Sequence, residues 1–534
     1  MNKLYFGDNL QILREHIPSE SVDLIYLDPP FNSKRDYNLL FKTPKGHSSE
    51  AQITAFEDSW HWGKEAETEY DELLHQKNTD VAEMIRSLRS FLGENDMMAY
   101  LTMMANRLLQ LHRVLKSTGS LYLHCDPTAS HYLKIVLDAV FGGENYRNEI
   151  RWKRQSSHSD AKKFARISDT IFYYTKSDNY KWNSLRVGYD DEYIDSHYGQ
   201  KNEQGERFQL GDLTKPKGSK GYYYSLLGCS PPENGWRMPE SRATQWINEG
   251  RIIIPASGKT PRYKRYLHEV KGKVIGDIWD DIFIINSQAK ESLGYPTQKP
   301  LALLERIINA SSNEGDIVLD PFCGCGTAVH AAQKLNRQWI GIDITHLAIS
   351  LIEKRLRDAF KNIEFEVEGT PKDLDSARNL ALRDKYQFQW WACSLVNAQP
   401  FQGKKKGADG GIDGIIYFED DTTGAKKIVV SVKGGENVSV AMIRDFAHVI
   451  EREKAAMGFF VTLAEATRPM TSEAVSGGFY ESYGKKYPKV QILTIERLLN
   501  GTERPEYPDL TGGEATFKKA QKEKKRSGQE GMFK

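Results

Sequence analysis

Two short stretches constrain this chain more than any other: LDPPFNS at Leu27–Ser33 and DIVLDPFCGCGTAVHAA at Asp316–Ala332. Each reads as a buried β-strand that runs into a turn. In the first, an acid and a rigid Pro-Pro step stand where the strand ends. In the second, the strand ends in a glycine turn that opens a helix, an arrangement that cradles a nucleotide-like cofactor. An Asp-Pro-Pro turn alone is often only a turn, and a lone Gly-x-Gly after a strand says little more. Both together, each at the C-terminal end of a strand, point to chemistry.

The surrounding pattern supports that placement. Leu4–Phe6 and Val22–Leu27 read as short strands, the second an apolar run of the parallel-sheet type. Met98–Leu115 sets Leu101, Ala105, Leu108, Leu111 and Leu115 at helical spacing and predicts an amphipathic helix. It leads into LYLHCDP, another apolar strand, and Tyr132–Val140 is again helical. The alternation predicts an α/β fold with a mainly parallel, doubly wound sheet. Residues 41–95 show no long periodic element and read as a surface insertion.

From Glu149 to about Asp281 the character changes. Between Arg151 and Arg186 nine Lys/Arg face three Asp, interleaved with Trp152, Phe164, Phe172, Tyr173, Tyr174 and Trp182. Composition alone fits a solvated, irregular surface. The position between two halves of one sheet favours a DNA-contacting module, because backbone charge and stacking rings serve strand recognition.

At 534 residues two or three domains are expected. A net charge of +1 excludes a uniformly basic nucleic-acid coat, though 73 basic residues leave room for a local groove. Five cysteines without a repeating spacing argue for reduced thiols. The N-terminus lacks a signal peptide's apolar core, and no run of about 18 apolar residues suggests a membrane span. The expectation is a soluble cytoplasmic protein with no membrane partner.

The chemistry follows from the first turn. The amino group of adenine or cytosine is a poor nucleophile, because its lone pair is delocalised into the ring. Accepting hydrogen bonds from both amino hydrogens pulls the nitrogen towards tetrahedral geometry and aims the lone pair at an electrophilic methyl. Asp28 suits one hydrogen and a main-chain carbonyl held by Pro29–Pro30 suits the other, while Phe31 can stack on a flipped base. No metal is required there. In the second stretch Asp320 ends the strand, and Gly324 and Gly326 allow close backbone approach. Asp343 ends the next strand, where an acid pairs with ribose hydroxyls. The turn differs from G-x-G-x-x-G, which suits S-adenosyl-L-methionine, a ligand without pyrophosphate.

Residues 1–360 resemble the amino-methylating DNA methyltransferases of β-type motif order, in which the catalytic turn precedes the cofactor turn and the target-recognition region lies between them. The matching pieces are Gly7–Leu13, Leu27–Phe31, Gly119–Asp126, Tyr295–Ile308, Asp320–Thr327 and Gly341–Ile344. The resemblance implies a Rossmann-like sheet of seven strands, the last antiparallel, and double-stranded DNA as substrate. It implies that Asp8 contacts the cofactor's adenine and that Thr297, Lys299 and Pro300 line its methionine side. Asp320, Pro321, Phe322, Gly324, Gly326 and Thr327 would wrap the cofactor, with Asp343 on the ribose. DPPF leans towards adenine N6 among members, with cytosine N4 the alternative.

Further along, KKKGADGGIDGIIYF and KKIVVSVKGG set Asp413 at a strand start and Lys433 at the end of a neighbouring strand. With GFFVT at Gly458–Thr462 this is similar to the Mrr-like branch of restriction-endonuclease folds. Two before the lysine, where that pattern carries Glu, Asp or Gln, stands Ser431, a poor Mg²⁺ ligand. Either Asp409 or Glu436 serves instead, with Mg²⁺ at this domain only, or the domain binds DNA without cutting it.

The expected organisation is a catalytic half at 1–149 carrying the 41–95 insertion, a target-recognition region at 150–290 and a cofactor-binding half at 291–365. A linker at 366–382, the nuclease-like domain at 383–500 and a basic flexible tail at 501–534 complete it. The reading is a site-specific DNA amino-methyltransferase in a restriction–modification context. Two others stay open: a modification subunit working with a restriction partner, or as a homodimer, and a DNA-binding regulator on a decayed scaffold.

Overall fold

A strand covered on both faces is a continuous buried run, and all six residues of Val22–Leu27 are buried. The computed structural model describes residues 2–30, 36–42, 48–57, 61–155, 164–256, 258, 260–286, 289–295, 297–401, 410–420, 425–508, 516 and 520–523. Among these, Val22–Leu27 is the middle strand of a nine-stranded sheet. The order is Ile278–Trp279, Tyr146–Lys153, Ser168–Thr175, Leu115–Cys125, Val22–Leu27, Ile317–Asp320, Gln338–Asp343, Lys3–Phe6 and Glu366–Glu368. Ser168–Thr175 runs against both neighbours, and every other pairing is parallel. The expected seven strands are thus extended at both edges.

Alternation divides the central strand between two faces. Ile25 and Leu27 enter a core with Leu121 and Leu123 of the next strand and with helices Asn9–His16, Asp96–Val114 and Ser130–Phe141. Tyr26, and Asp28 just beyond the strand, fall on the opposite face.

Residues 41–95 depart from the expected surface insertion. A hairpin pairs Asp36–Lys42 with Ser48–Glu57, and helices Lys64–Leu74 and Thr79–Leu92 follow. Leu73, Val81 and Ile85 are fully buried in the main core. Each such side chain contributes about 1.5–3 kcal/mol by burial, so these helices are structural. Asn78 caps the second through the amides of Asp80 and Val81.

The separate unit is also narrower than 150–290. Tyr146–Lys153, Ser168–Thr175 and Ile278–Trp279 belong to the main sheet, and the second compact unit begins at Ser184 and ends at Gly276. It holds a four-stranded antiparallel sheet and a small core around the fully buried Trp236. Its Trp236 Nε1 donates to Tyr224 O.

Residues 366–382 are not a linker. Glu366–Glu368 pairs with Lys3–Phe6, with Lys3 bonded to Glu368, and helix Leu374–Arg383 starts at a capping box of Asp373 and Ser376. Beyond it lies a five-stranded sheet in the order Gln399–Pro400, Gly414–Phe418, Lys426–Lys433, Met457–Thr462, Val490–Thr494. Helices Leu374–Arg383 and Lys385–Leu395 pack into one core, and helices Val440–Arg452 and Arg468–Ser476 into another. The described parts of the tail are engaged: Thr516 Oγ1 donates to Tyr417 O, and Glu523 accepts from His330 and pairs with Lys334. No described helix is long and apolar enough to cross a membrane.

Candidate active site

Parallel neighbours end at the same sheet edge, so turns far apart in sequence leave it side by side. Val318 and Leu319 pair with Leu24 and Ile25, Asp320 with Gly341, and Asp343 with Phe6. The loops after all four strands therefore meet around one cavity of about 250 Å³. Asp8, Asp28, Pro29, Pro30, Thr297, Lys299, Asp320, Pro321, Phe322, Gly324, Thr327 and Asp343 all line it. Two expected residues do not. Pro300 is the N-cap of helix Leu301–Ser311, and Gly326 starts helix Thr327–Lys334 at φ +74° behind the wall. Phe31 lies outside the described residues.

Several of these groups also engage protein partners. Lys299 lines the cavity, and its ammonium donates to Asp28 Oδ2 and to Thr297 O at 3.5 Å. Asp28 Oδ1 is buried without a hydrogen-bond partner. Asp8 has both oxygens engaged, Oδ1 by the Gln11 amide and Oδ2 by Arg107 at 2.9 Å. Asp343 accepts from the amides of Gly324 and Thr345 and from the Thr345 hydroxyl. Burial pushes its carboxyl up against those bonds. Burial likewise pushes Asp320 well above the usual carboxylate range; the Phe322 amide opposes this, and the charges of Asp28 and Asp343 add to it.

Other residues hold the walls together without a motif to announce them. Arg107 donates from Nε to Asn9 Oδ1, and Asn9 Nδ2 donates to Pro321 O at 2.8 Å, tying the first loop to the cofactor turn. Arg355 is buried beneath that turn and donates to Cys325 O at 2.9 Å, Thr327 Oγ1 at 3.1 Å and His330 Nδ1 at 3.2 Å. Tyr295, in the cavity wall, clusters with Cys325 and Leu347, and Trp390 of helix Lys385–Leu395 packs against that cluster. Gln387 of the same helix accepts from the His346 amide, and Gln389 Nε2 donates to Asp413 Oδ1 at 2.9 Å.

At Asp413 the remaining oxygen accepts from the Val432 amide at 2.7 Å, which sets the acid beside the residue preceding Lys433. Ser431 is buried, and Glu436 lies 3.6 Å from Arg378 on the surface. Asp409 lies outside the described residues. Among the described residues no group of three acidic, His or Cys side chains is assembled for a metal ion.

The loops at one edge of this mainly parallel sheet meet around an acid-lined cavity beside a Pro-Pro turn, an arrangement suited to a nucleotide-like cofactor. The DNA methylase family matches residues 22–354, and the chain belongs to that family. Residues 380–499 match the restriction endonuclease family of the Mrr catalytic type. The type II methyltransferase M.EcaI of Enterobacter cloacae is 31% identical over 363 residues, covering 66% of this chain and 69% of that protein. The Mod subunit of the type III restriction-modification enzyme StyLTI from Salmonella typhimurium is 27% identical over 63% of this chain, which spans 50% of the subunit's length. The DNA adenine methyltransferase YhdJ of Escherichia coli K12 is 26% identical, with 66% and 81% covered. The chain is a DNA methyltransferase of the restriction–modification type with a nuclease-like domain.

Proposed function

We propose that this chain methylates the exocyclic amino group of a base flipped out of double-stranded DNA, adenine N6, with S-adenosyl-L-methionine as donor. One observation carries the reading: the carboxylate of Asp28 and the turn Asp320–Thr327, nearly 300 residues apart, line one cavity. The residues there fit the donor. Asp8, Asp28, Asp320 and Asp343 bring four acids to the space against Arg107 and Lys299, an acidic excess that favours a cationic ligand bearing amine and hydroxyl donors. Asp343, Phe322, Gly324 and Thr327 would hold it. Bound there, the cofactor supplies an electrophilic methyl on a sulfonium sulfur.

The chain's own groups do the rest. Asp28 accepts one amino hydrogen and the Pro29–Pro30 step presents a carbonyl for the other, so the nitrogen lone pair is freed at a fixed place. Lys299 holds the other carboxylate oxygen, which fixes the orientation of Asp28. The Pro-Pro step keeps this frame from relaxing.

Duplex DNA incubated with the protein and tritiated S-adenosylmethionine should gain label, and hydrolysis should return it as N6-methyladenine. Asp28→Ala should abolish labelling while calorimetry still detects cofactor binding. Full labelling by that variant would remove Asp28 from the chemistry, and label in N4-methylcytosine would correct the base. The similarity to Mod subunits supports a second reading, a modification subunit with a separate restriction partner. Co-purification of a large helicase-like protein would favour it.

A further inference from the structure

Behind Asp28 lies a buried chain of titratable groups that nothing so far uses. His124, on strand Leu115–Cys125, is fully buried. Its Nε2 is 3.2 Å from Asp169 Oδ2, its Nδ1 is 3.0 Å from the Tyr26 hydroxyl, and the same Nδ1 is 3.9 Å from Asp28 Oδ1. Arg154 Nε stands 3.3 Å from the far oxygen of Asp169, and the Trp152 indole meets the imidazole edge-on at 5.6 Å. Tyr26, Asp28 and Asp169 face the ring, with Lys299 and Arg154 one contact further out.

Chemistry assigns the protons. Burial alone would raise Asp169, but the hydrogen bond from His124 and the neighbouring charges of Arg154 and Lys299 oppose it, and the carboxyl lies below its usual range. Asp169 is thus an acceptor, and His124 Nε2 carries the hydrogen that it accepts. Burial and nearby carboxylates keep the Tyr26 phenol protonated, so Tyr26 donates to Nδ1. The neutral ring is satisfied by these two bonds. A protonated ring would sit between two carboxylates, and a fully buried cation is stable only with such partners.

Methyl transfer to an amino group must end in the loss of a proton. We infer that His124, seated between Asp28 and Asp169, receives and stores that proton; this rests on the methyltransferase reading above. As the new N–CH₃ bond forms, the nitrogen becomes positive. Its N–H bond breaks to Asp28, which gains an O–H. The proton then passes from Asp28 to His124 Nδ1, which turns from the Tyr26 hydroxyl and becomes imidazolium against Asp169. No oxidant or further reactant is needed. When product leaves, the proton returns through Asp28 to water entering the cavity. His124 acts through Asp28 and touches neither substrate nor cofactor.

Single-turnover methylation by the full chain with S-adenosylmethionine and duplex DNA, followed between about pH 5 and pH 9, tests this. The wild-type rate should fall towards low pH, because protons supplied by solvent compete with the one the reaction sheds. His124→Gln, which keeps a donor for Asp169, should be slower by on the order of 10²-fold at neutral pH and lose the acid limb. Asp169→Asn, which reverses the tautomer, should do the same, with cofactor affinity by calorimetry unchanged in both. A wild-type rate and profile in His124→Gln overturns the inference. A readout that needs no variant is a pH indicator in the wild-type turnover. Proton release should lag methyl transfer and keep pace with product release; release coincident with transfer overturns the inference. Absence of any methylation by wild type would instead refute the methyltransferase reading.

Discussion

Replacing Gly326 by alanine should cost the methylase fold two separable amounts. The backbone there sits at φ +74°, a left-handed conformation that costs an L-residue about 1–2 kcal/mol. The added Cβ would also stand 2.8 Å from Ile352 Cγ1 and 3.2 Å from Val329 Cγ2. Ile352 is fully buried in helix His346–Ala359 and has nowhere to retreat, and such overpacking costs about 1–3 kcal/mol. The expected total is about 2–5 kcal/mol. Because Gly326 closes the turn that lines the cavity and opens the helix after it, affinity for S-adenosylhomocysteine should fall with it. Calorimetry measures both quantities, the unfolding transition of the methylase part and the binding isotherm. Ile352→Ala removes the overlapping atoms, so in the double variant the packing share should vanish while the backbone share stays. The two substitutions should then be non-additive by about 1–3 kcal/mol. Strict additivity, or a single variant as stable and as tight-binding as wild type, would refute the geometry of this turn.

Asp23 sits at the opposite end of the central strand, bridging Lys116 at 2.7 Å, Lys181 at 2.8 Å and the Ile317 amide at 3.0 Å. Burial would raise its carboxyl, but these bonds together hold it below its ordinary value. Its contribution is therefore present above the unfolded carboxylate range and lost as pH falls through the folded value. Asp23→Asn should destabilise by about 3 kcal/mol at neutral pH, with a difference in urea midpoint that closes below about pH 4. His330 shows the opposite chemistry with the same sign: burial lowers it to about 4, so the unfolded chain takes up its proton first. Stability should fall as pH drops from about 6.5 towards 4, by about 3 kcal/mol from this ring, and His330→Gln should flatten that slope. At the nuclease-like domain, supercoiled plasmid with Mg²⁺ or Mn²⁺ should stay uncut; nicking that Asp413→Ala abolishes would show that a metal site forms there.

What was legible in the residues follows from where the information is local. Val22–Leu27, Gly414–Phe418 and the strand before the glycine turn are buried on both faces, so their apolar runs announce them. The turns that follow are local motifs, and most of their residues reach one cavity. Helices Lys64–Leu74 and Thr79–Leu92 were obscured because charged residues dominate their exposed faces, although Val81, Ile85 and Leu88 keep helical spacing. Glu366–Glu368 reads as polar linker because its stability as an edge strand comes from Lys3, over 360 residues away. The same limit hides the pair Lys299–Asp28, separated by 271 positions, and the ring of His124, which inside an apolar strand looks like filler until Asp169 is brought beside it. Pairings across the sheet leave no trace in spacing.

Helix Lys385–Leu395 has a consequence for how this molecule can be taken apart. Trp390 packs on the cluster of Tyr295, Cys325 and Leu347, and one residue earlier Gln389 donates to Asp413. A truncation that removed the C-terminal third would strip an aromatic cover from the back of the donor chamber. The two halves are thus welded through one rod of eleven residues. Its two contacts leave from adjacent side chains, one towards the cavity wall and one towards Asp413.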